Sequence, residues 1–298
     1  MPPVLSLILC SRNDQYMGNS RWRLETTLGY IGDRVAALGR EDDVEIVVAD
    51  WGSEVPLREA LTLSPAAAKI VSFLWIPPVP ARELQRDSPF PEVLALNAAA
   101  RRARGTYIGR IDQDTLVGER FLTRFLEWAD GGWPLDVRMD AALFFANRRA
   151  IPYRFASRCP PLHAVERLIQ RDGQALRIET WRIFYRSDVG VWLLHRNLWF
   201  DCGGYDERMI HMNSMEIEMI GRLMPKYPML DLGKLVDYDF YHLDHYHPSG
   251  SRRSSSHRKV NDGVRAPLGF NPNGESWGLA AYDVPLTPAI RNVGSCSL

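Results

Sequence analysis

The sequence predicts an α/β protein in which helices flank a mostly parallel β-sheet. The apolar run at 4–10 is typical of a parallel strand that is covered on both faces, and residues 45–49 and 106–111 are further strand-like runs. Segments 22–38 and 92–104 lie between these runs, and they carry apolar residues at near-helical spacing. Strands and helices that alternate in this way imply a parallel sheet with right-handed crossovers, a layout typical of nucleotide-binding proteins.

Short polar or helix-breaking segments separate these elements. Residues 11–14 follow the first strand, and residues 50–53 form the turn after the second strand. A third strand at 70–76 ends at a Pro-Pro pair, and Gly105 ends the helix before the fourth strand. No Gly-x-Gly-x-x-Gly follows the first strand and no Walker A motif occurs, so we do not expect a dinucleotide-type or P-loop phosphate site.

The second half of the chain is less regular. Residues 119–130 and 214–224 have helical patterns, and residues 189–200 form a strand-like apolar segment. Residues 248–276 are rich in Ser, Arg, Gly, Pro and Asn, which predicts a loop or a lid.

Composition excludes some classes of function. The 298 residues contain 36 basic and 36 acidic side chains, so the formal net charge is zero and there is no electrostatic case for binding nucleic acid. Basic clusters at 101–104 and 252–259 are either solvated faces or contacts for a phosphate or an anionic membrane surface.

Signals for export or membrane insertion are also lacking. No apolar stretch reaches the roughly 18 residues of a membrane span, and the N-terminus lacks the basic start of a signal peptide. The four cysteines are far apart and match no zinc spacing. We therefore expect reduced thiols in a cytoplasmic protein without a transmembrane segment.

The most informative motif is Asp112-Gln113-Asp114, which follows the fourth strand. In an extended chain, the side chains of Asp112 and Asp114 point the same way, at the end of the sheet where open α/β proteins bind ligands. Paired carboxylates there suit Mg²⁺ or Mn²⁺ bridging a diphosphate. The alternative is a helix N-cap beside an ordinary surface aspartate.

A histidine-rich segment offers nitrogen ligands. Three of the seven histidines, His242, His245 and His247, lie within six residues. Imidazole is a good ligand for Mn²⁺ and a poor one for Mg²⁺, so a site of two Asp and one His favours Mn²⁺. In a strand His245 and His247 share a face and His242 lies on the other, and our order of preference is His245, His242, His247. The alternative is that these side chains pack on a sheet.

A glutamate near the start of the helix at 214–224 is a candidate general base. Glu216 and Glu218 are about 200° apart around a helix, so only one of them can face a pocket. The alternative is a solvated helix with one exposed glutamate.

Five segments in order across residues 4–247 resemble the GT-A glycosyltransferases, in particular the family 2-like and galactosyltransferase-like members. These segments are Ser-Leu-Ile-Leu-Cys-Ser-Arg-Asn (6–13), Val-Val-Ala-Asp-Trp-Gly-Ser (47–53), Leu-Asn-Ala-Ala-Ala-Arg-Arg-Ala-Arg-Gly-Thr-Tyr-Ile (96–108), Gly-Gly-Tyr-Asp-Glu (203–207) and Met-Glu-Ile-Glu-Met-Ile-Gly-Arg-Leu (215–223). The third segment leads into the Asp-x-Asp motif.

The resemblance implies a single GT-A domain with a Rossmann-like, mixed and mostly parallel sheet and acceptor-side insertions. Residues 1–116 would be the nucleotide-sugar-binding half and residues 117–247 the acceptor and catalytic half, while residues 248–298 would form a loop or lid and a tail. The implied activity is metal-dependent hexosyl transfer from a nucleoside diphosphate sugar, by analogy a UDP-sugar, to a glycan, a lipid-linked glycan or another hydroxyl acceptor. Polysaccharide synthesis at the inner face of the membrane, with peripheral association, follows from the same analogy.

The resemblance also implies roles for individual residues. The donor nucleotide would be bound by Ser11, Arg12, Asn13, Asp50, Asn97, Arg101 and Asp112. The metal, Mn²⁺ or Mg²⁺, would be bound by Asp112, Asp114, His245 and His242. Glu216 aligns with the family's catalytic carboxylate and would act as the base of an inverting transfer.

The chain departs from the family pattern at three positions. Trp51 replaces the second Asp of the turn, Met215 replaces one carboxylate of a Glu-Asp pair, and Leu96 replaces an Arg. Arg101 or Arg104 is expected to supply the missing positive charge. Two other functions stay open: a metal-dependent sugar-phosphate hydrolase or nucleotidyltransferase, and a non-catalytic glycan-binding module.

Overall fold

The structure, a computed structural model, describes residues 1–179, 190–211, 215–245 and 269–290. The strands in these residues, β1 to β12 in chain order, are Leu5–Ser11, Val44–Trp51, Val71–Ile76, Tyr107–Ile111, Thr115–Val117, Leu143–Ala146, Arg148–Ile151, Ile178–Glu179, Val191–His195, Met229–Asp231, Phe240–Leu243 and Leu286–Pro288. The α-helices in the same residues, α1 to α11, are Ser20–Ala37, Leu57–Ala60, Pro65–Ile70, Pro78–Gln85, Glu92–Arg102, Glu119–Glu127, Tyr153–Ala156, Leu162–Asp172, Arg196–Asp201, Met215–Leu223 and Leu232–Leu235.

The main sheet has eight strands in the order β10-β6-β9-β4-β1-β2-β3-β12. Strands β1, β2, β3 and β4 pair in parallel, whereas β9 and β12 run antiparallel to their neighbours. The predicted mixed, mostly parallel sheet flanked by helices is confirmed.

Helices cover both faces of the main sheet, and this explains why most residues of its strands are apolar. In β1, Leu5, Leu7 and Leu9 pack in the same core as α1, while Ile8 points into a second core on the opposite face with α5 and α10. No helix within the described ranges is long and apolar enough to cross a bilayer.

A second sheet, in the order β5-β11-β7-β8, lies beside the carboxyl end of β4. Strand β5 begins directly after the Asp112–Asp114 segment and pairs antiparallel with β11, with His242 opposite Thr115. Strand β11 also pairs with β7, and β7 with β8. The chain thus passes from the main sheet into the second sheet at the Asp-x-Asp motif, which brings the distant histidine segment next to it.

The expectation that Asp112 and Asp114 lie in an extended chain is wrong. Strand β4 ends at Ile111, and the following residues form a turn closed by a 3.0 Å hydrogen bond from the Thr115 N–H to the Asp112 carbonyl. The strand-like segment 189–200 is likewise divided into β9 and α9, because His195 caps the helix by accepting a hydrogen bond from the Asn197 N–H.

The described part of the predicted loop, lid and tail is packed into the fold. Strand β12 pairs with β3, and Trp277 is buried against α5. The Arg102 guanidinium donates to four backbone carbonyls of this segment, those of Gly278, Leu279, Tyr282 and Val284. Residues 248–268, with the basic cluster at 252–259, lie outside the described residues.

Gly204 is a glycine whose replacement we expect to lower stability strongly. Its φ is +71°, and a Cβ there would lie 2.8 Å from Asn97 Cγ and nearer still to Asn97 Oδ1. Asn97 is fully buried and hydrogen bonded, so it cannot move away. Gly204→Ala should lower the free energy of unfolding in urea by about 2–4 kcal/mol.

Gly221→Ala is the matched control for Gly204→Ala. Gly221 lies within α10, and a Cβ there would meet no atom within 4 Å. Alanine is the better helix former, so this change should raise the free energy of unfolding by about 0.5–1 kcal/mol. Equal effects of the two substitutions would contradict the packing described around Gly204.

Candidate functional site

The candidate site lies at the edge of the main sheet where β1, β2 and β4 end. These three strands are neighbours and run in the same direction, so the loops after them meet at one edge. The loops contain Ser11–Asn13, the turn after Asp50, and the Asp-x-Asp motif.

Asp114 and two histidines form a compact group at this edge. His242 Nε2 is 3.7 Å from Asp114 Oδ1, and His245 Nε2 is 3.7 Å from Asp114 Oδ2. The ligand atoms of these three side chains all lie within 4.8 Å of one another. Among the described residues, this is the cluster of three or more Asp, Glu, His or Cys side chains that could hold a metal ion. His247 lies outside the described residues.

The geometry of this group fits a divalent cation. Atoms that lie about 2.1 Å from one ion are about 3 to 4.2 Å apart for ligand angles between 90° and 180°. The two 3.7 Å separations fall within this range. One carboxylate and two imidazoles suit Mn²⁺ better than Mg²⁺, which prefers oxygen ligands.

His242 and His245 meet because β11 stops between them. An extended strand would place them on opposite faces, but β11 ends at Leu243. Their rings then lie nearly perpendicular, with centroids 5.4 Å apart. The sequence expectation that His242 lies on the strand face opposite His245 is therefore wrong.

Asp112 lies outside the Asp-His-His group described above. Its carboxylate accepts from Arg148 Nη1 at 2.5 Å and lies 2.8 Å from Arg110 Nη2. The side chain of Asp112 is 24% exposed to solvent, whereas that of Asp114 is 6% exposed. The turn thus divides the two carboxylates, with Asp114 directed to the histidines and Asp112 to the arginines.

Two buried arginines next to Asp114 were not anticipated from the sequence. Arg23, from α1, is completely buried and donates to Asp114 Oδ2 and to the carbonyls of Tyr16 and Gly18. Arg148, from β7, has its Nη1 4.0 Å from Asp114 Oδ1 and also donates to the hydroxyl of Thr115.

The charges around Asp114 keep it ionised. Burial alone raises the pKa of Asp114, but the two histidines and two arginines around it outweigh burial and lower the pKa to about 2. A carboxylate with this pKa is available to a cation throughout the neutral range.

The loops after β1 and β2 are bonded to each other. The backbone N–H of Asn13 donates to Ser53 Oγ at 2.8 Å, and the Nδ2 of its side chain donates to the Val55 carbonyl. Ser11 Oγ donates to Gln113 Oε1 at 2.5 Å, which ties the first loop to the Asp-x-Asp turn. Arg12 pairs with Asp14 and lies over the ring of Phe90.

Asp50 is a fully buried carboxylate that organises the turn after β2. It accepts from the Ser53 hydroxyl and, at 2.7 Å, from the Leu57 N–H. Burial raises the pKa of Asp50 to about 6, and these two hydrogen bonds offset only part of that rise.

The pKa of Asp50 predicts a pH-dependent stability. Because the folded-state pKa of about 6 lies above the usual aspartate value of 3.8, the contribution of Asp50 to stability is fully present below pH 3.8 and is lost as the pH rises through 6. The loss amounts to about 3 kcal/mol, at 1.36 kcal/mol per pKa unit. Asp50→Asn should remove this slope from urea unfolding measured between pH 4.5 and 7.5, and an unchanged slope would contradict the raised pKa.

Asn97 and Arg101, two predicted donor-binding residues, have structural partners instead. Asn97 donates to the carbonyl of Tyr205 and accepts from the Tyr205 N–H, both at 2.8 Å, and so holds the Gly-Gly-Tyr turn. Arg101 donates to the Trp277 carbonyl and lies over the Trp277 ring. The nearby Arg104 pairs with Glu45. In the structure, the side chains of Asn97, Arg101 and Arg104 thus contact other parts of the fold.

Glu216 and Glu218 have different partners. Glu216 is buried near the start of α10, with its Oε1 3.6 Å from Arg110 Nη2. Glu218 is bound by both Nε and Nη2 of Arg222, at 2.6 and 2.9 Å. Glu216 is thus the glutamate of this helix that faces the Asp-x-Asp region.

Arg110 connects Glu216 to the Asp-x-Asp turn. Its Nη2 lies 2.6 Å from Glu92 Oε1 and 2.8 Å from Asp112 Oδ1. Burial lowers the pKa of Arg110, but neighbouring carboxylates more than reverse this, and the pKa lies well above its usual value. Arg110 therefore stays charged and holds three carboxylates around one guanidinium.

Comparisons with known proteins give similarity at the level of solved structures. No protein-family model and no curated protein sequence matches the chain. The chain is similar to TarS of S. aureus, with a TM-score of 0.45 and 11% identity over 76% of this chain and 35% of TarS. It is also similar to the catalytic domain of Drosophila beta1,4-galactosyltransferase 7 in complex with xylobiose, with a TM-score of 0.45 and 11% identity over 88% of this chain and 84% of that domain.

A third similar structure is the mannosyltransferase PcManGT from Pyrobaculum calidifontis in complex with GDP-Man and Mn²⁺. Its TM-score is 0.41, with 14% identity over 78% of this chain and 55% of the mannosyltransferase. Two of these three structures are named as glycosyltransferases, a galactosyltransferase and a mannosyltransferase. The chain spans about a third of TarS and about half of the mannosyltransferase.

Proposed function

We propose that this protein is a metal-dependent glycosyltransferase of the GT-A type, which transfers a sugar from a nucleoside diphosphate sugar to a hydroxyl group. The observation that carries the proposal is the meeting of Asp114, His242 and His245 at the edge where β1, β2 and β4 end. A buried glutamate, Glu216, is linked to the same turn through Arg110. A UDP-sugar donor and a glycan or lipid-linked glycan acceptor are the substrates we favour.

In this proposal, Asp114, His242 and His245 hold Mn²⁺ or, less well, Mg²⁺. The bound ion would act as a Lewis acid that neutralises charge on the departing diphosphate. Asp112, partly exposed beside this group, would accept a hydrogen bond from a hydroxyl of the donor. The loops at 11–13 and 50–55 would bind the base and the ribose.

Glu216 would take the proton from the acceptor hydroxyl as that oxygen attacks the anomeric carbon. Attack from the face opposite the leaving diphosphate inverts the configuration at that carbon. Arg110 would orient the carboxylate of Glu216, because its guanidinium is itself held by Glu92 and Asp112.

The local charge predicts that the metal and the nucleotide bind together. The Asp-His-His group holds one carboxylate and two imidazoles, so a divalent cation bound there keeps an excess of positive charge. A diphosphate removes that excess. Each ligand should therefore raise the affinity for the other by the same factor.

A thermal-shift screen of nucleotides and nucleotide sugars, with and without Mn²⁺, tests this function. We expect one nucleoside diphosphate to raise the melting temperature only when Mn²⁺ is present. The matching nucleotide sugar should then yield a glycosidic product with a suitable acceptor. Release of sugar phosphate would favour the hydrolase, and glycan binding without metal or nucleotide would favour the binding module; either result would overturn the proposal.

A further inference from the structure

Glu179 contacts the side of His242 that faces away from Asp114. Glu179 Oε2 and Oε1 lie 3.0 and 3.2 Å from His242 Nδ1, whereas His242 Nε2 points to Asp114 Oδ1 at 3.7 Å. The imidazole thus lies between two carboxylates, one at each ring nitrogen, and it keeps only 9% of its side-chain exposure.

The chemistry of the Glu179 carboxylate and the His242 imidazole decides which ring nitrogen carries the proton. An ionised carboxylate can only accept, so the nitrogen in contact with Glu179 must donate. In a neutral imidazole, a proton on Nδ1 leaves the lone pair on Nε2, the nitrogen that faces Asp114 and His245. A metal ligand requires this free lone pair.

The fold holds Glu179 in place from two sides. Glu179 ends β8, where it pairs in register with Arg148 of β7. Arg148 Nη2 lies 3.8 Å from Glu179 Oε2, and Arg177 Nη2 lies 3.7 Å from Glu179 Oε1. The same Arg148 donates to Asp112, so one guanidinium contacts both the Asp-x-Asp turn and the carboxylate behind the histidine.

We propose that Glu179 is a positioning residue that fixes His242 as the Nδ1–H tautomer and so presents Nε2 to a divalent cation. The inference rests on the metal site of the proposed function. Outer carboxylates of this kind typically contribute about 10–100-fold to metal affinity. No nucleotide or sugar is needed for Glu179 to act in this way.

The test measures Mn²⁺ affinity and the His242 tautomer in the same set of variants. Mn²⁺ binding is followed by the electron paramagnetic resonance signal of the free ion. The tautomer is read in metal-free protein from the imidazole ¹⁵N chemical shifts, with His242→Asn used to assign the signal. The melting temperature of each variant is measured to check that the variant is folded.

Glu179→Ala should weaken Mn²⁺ binding by about 10–100-fold and move His242 away from the Nδ1–H tautomer. Glu179→Gln should give an intermediate loss, because its amide oxygen can still accept from Nδ1–H. Glu166→Ala is the matched control: Glu166 has nearly the same side-chain exposure, 27% against 26% for Glu179, and pairs with Arg34 away from the histidines.

Three results would overturn the inference: a wild-type Nε2–H tautomer, an affinity loss in Glu179→Ala no larger than that in Glu166→Ala, or a wild-type protein that does not bind Mn²⁺. The Mn²⁺ affinity and the His242 tautomer are both measured without a sugar donor. A protein that shows the expected tautomer and affinity changes but transfers no sugar would therefore retain the inference while contradicting the proposed function.

Discussion

Asp114→Ala is expected to abolish both Mn²⁺-dependent nucleotide binding and sugar transfer. It removes the one carboxylate that both histidines face. It also leaves the fully buried Arg23 without its ion-pair partner, so the free energy of unfolding should fall by about 3–5 kcal/mol. Urea unfolding and calorimetric titration of the nucleotide with Mn²⁺ measure the two effects separately.

The double variant Arg23→Met/Asp114→Ala separates stability from binding. Removing both partners leaves no buried unpaired charge, so most of the lost stability should return. Metal-dependent nucleotide binding should stay absent, since the carboxylate is still missing. Binding restored in the double variant, or retained in Asp114→Ala, would remove Asp114 from the metal site.

Glu216→Gln is expected to keep donor binding and to lower turnover by about 10²–10⁴-fold, the usual contribution of a general base. The amide keeps the shape of the side chain but cannot take a proton. Steady-state transfer rates, together with the dissociation constant of the donor, distinguish a loss of chemistry from a loss of binding.

Glu218→Gln is the matched control, two residues along the same helix. Its carboxylate binds Arg222, which also donates to the carbonyls of Cys202 and Gly204. This substitution should lower stability and leave turnover per folded molecule close to that of the wild type. If Glu218→Gln, rather than Glu216→Gln, removed turnover, the assignment of the base would be wrong.

The sheet could be predicted from the sequence because its signals are local. Apolar-rich runs such as 45–49 occur where both faces of a strand are covered, and the polar loops after 4–10 and 45–49 lie at the predicted edge. Asp114, His242 and His245 were all among the predicted metal ligands, and the structure brings these three together.

The relative orientation of those ligands could not be predicted, because it depends on where two strands end. Alternation along an extended chain placed Asp112 with Asp114 and separated His242 from His245. The turn after β4 and the end of β11 at Leu243 reverse both expectations. These ends reflect pairing between strands that are distant in the sequence, which local periodicity does not reveal.

The sequence indicates the role of one buried arginine but not of the other two. Arg110 interrupts the apolar strand Tyr107–Ile111, and a charge at such a position requires partners. Arg23 and Arg148 reach Asp114 from a helix and from the second sheet, so only the tertiary structure shows them. Asn97 and Arg101 were assigned by resemblance, and resemblance does not show where a side chain finds its hydrogen bonds.

Anomalous diffraction at the manganese edge, from crystals grown with Mn²⁺ and a nucleoside diphosphate, tests the central claim most directly. We predict one strong peak about 2.0–2.3 Å from a carboxylate oxygen of Asp114 and from the Nε2 atoms of His242 and His245. A peak bound to other side chains, with these three unligated, would contradict the metal site on which the proposed function depends.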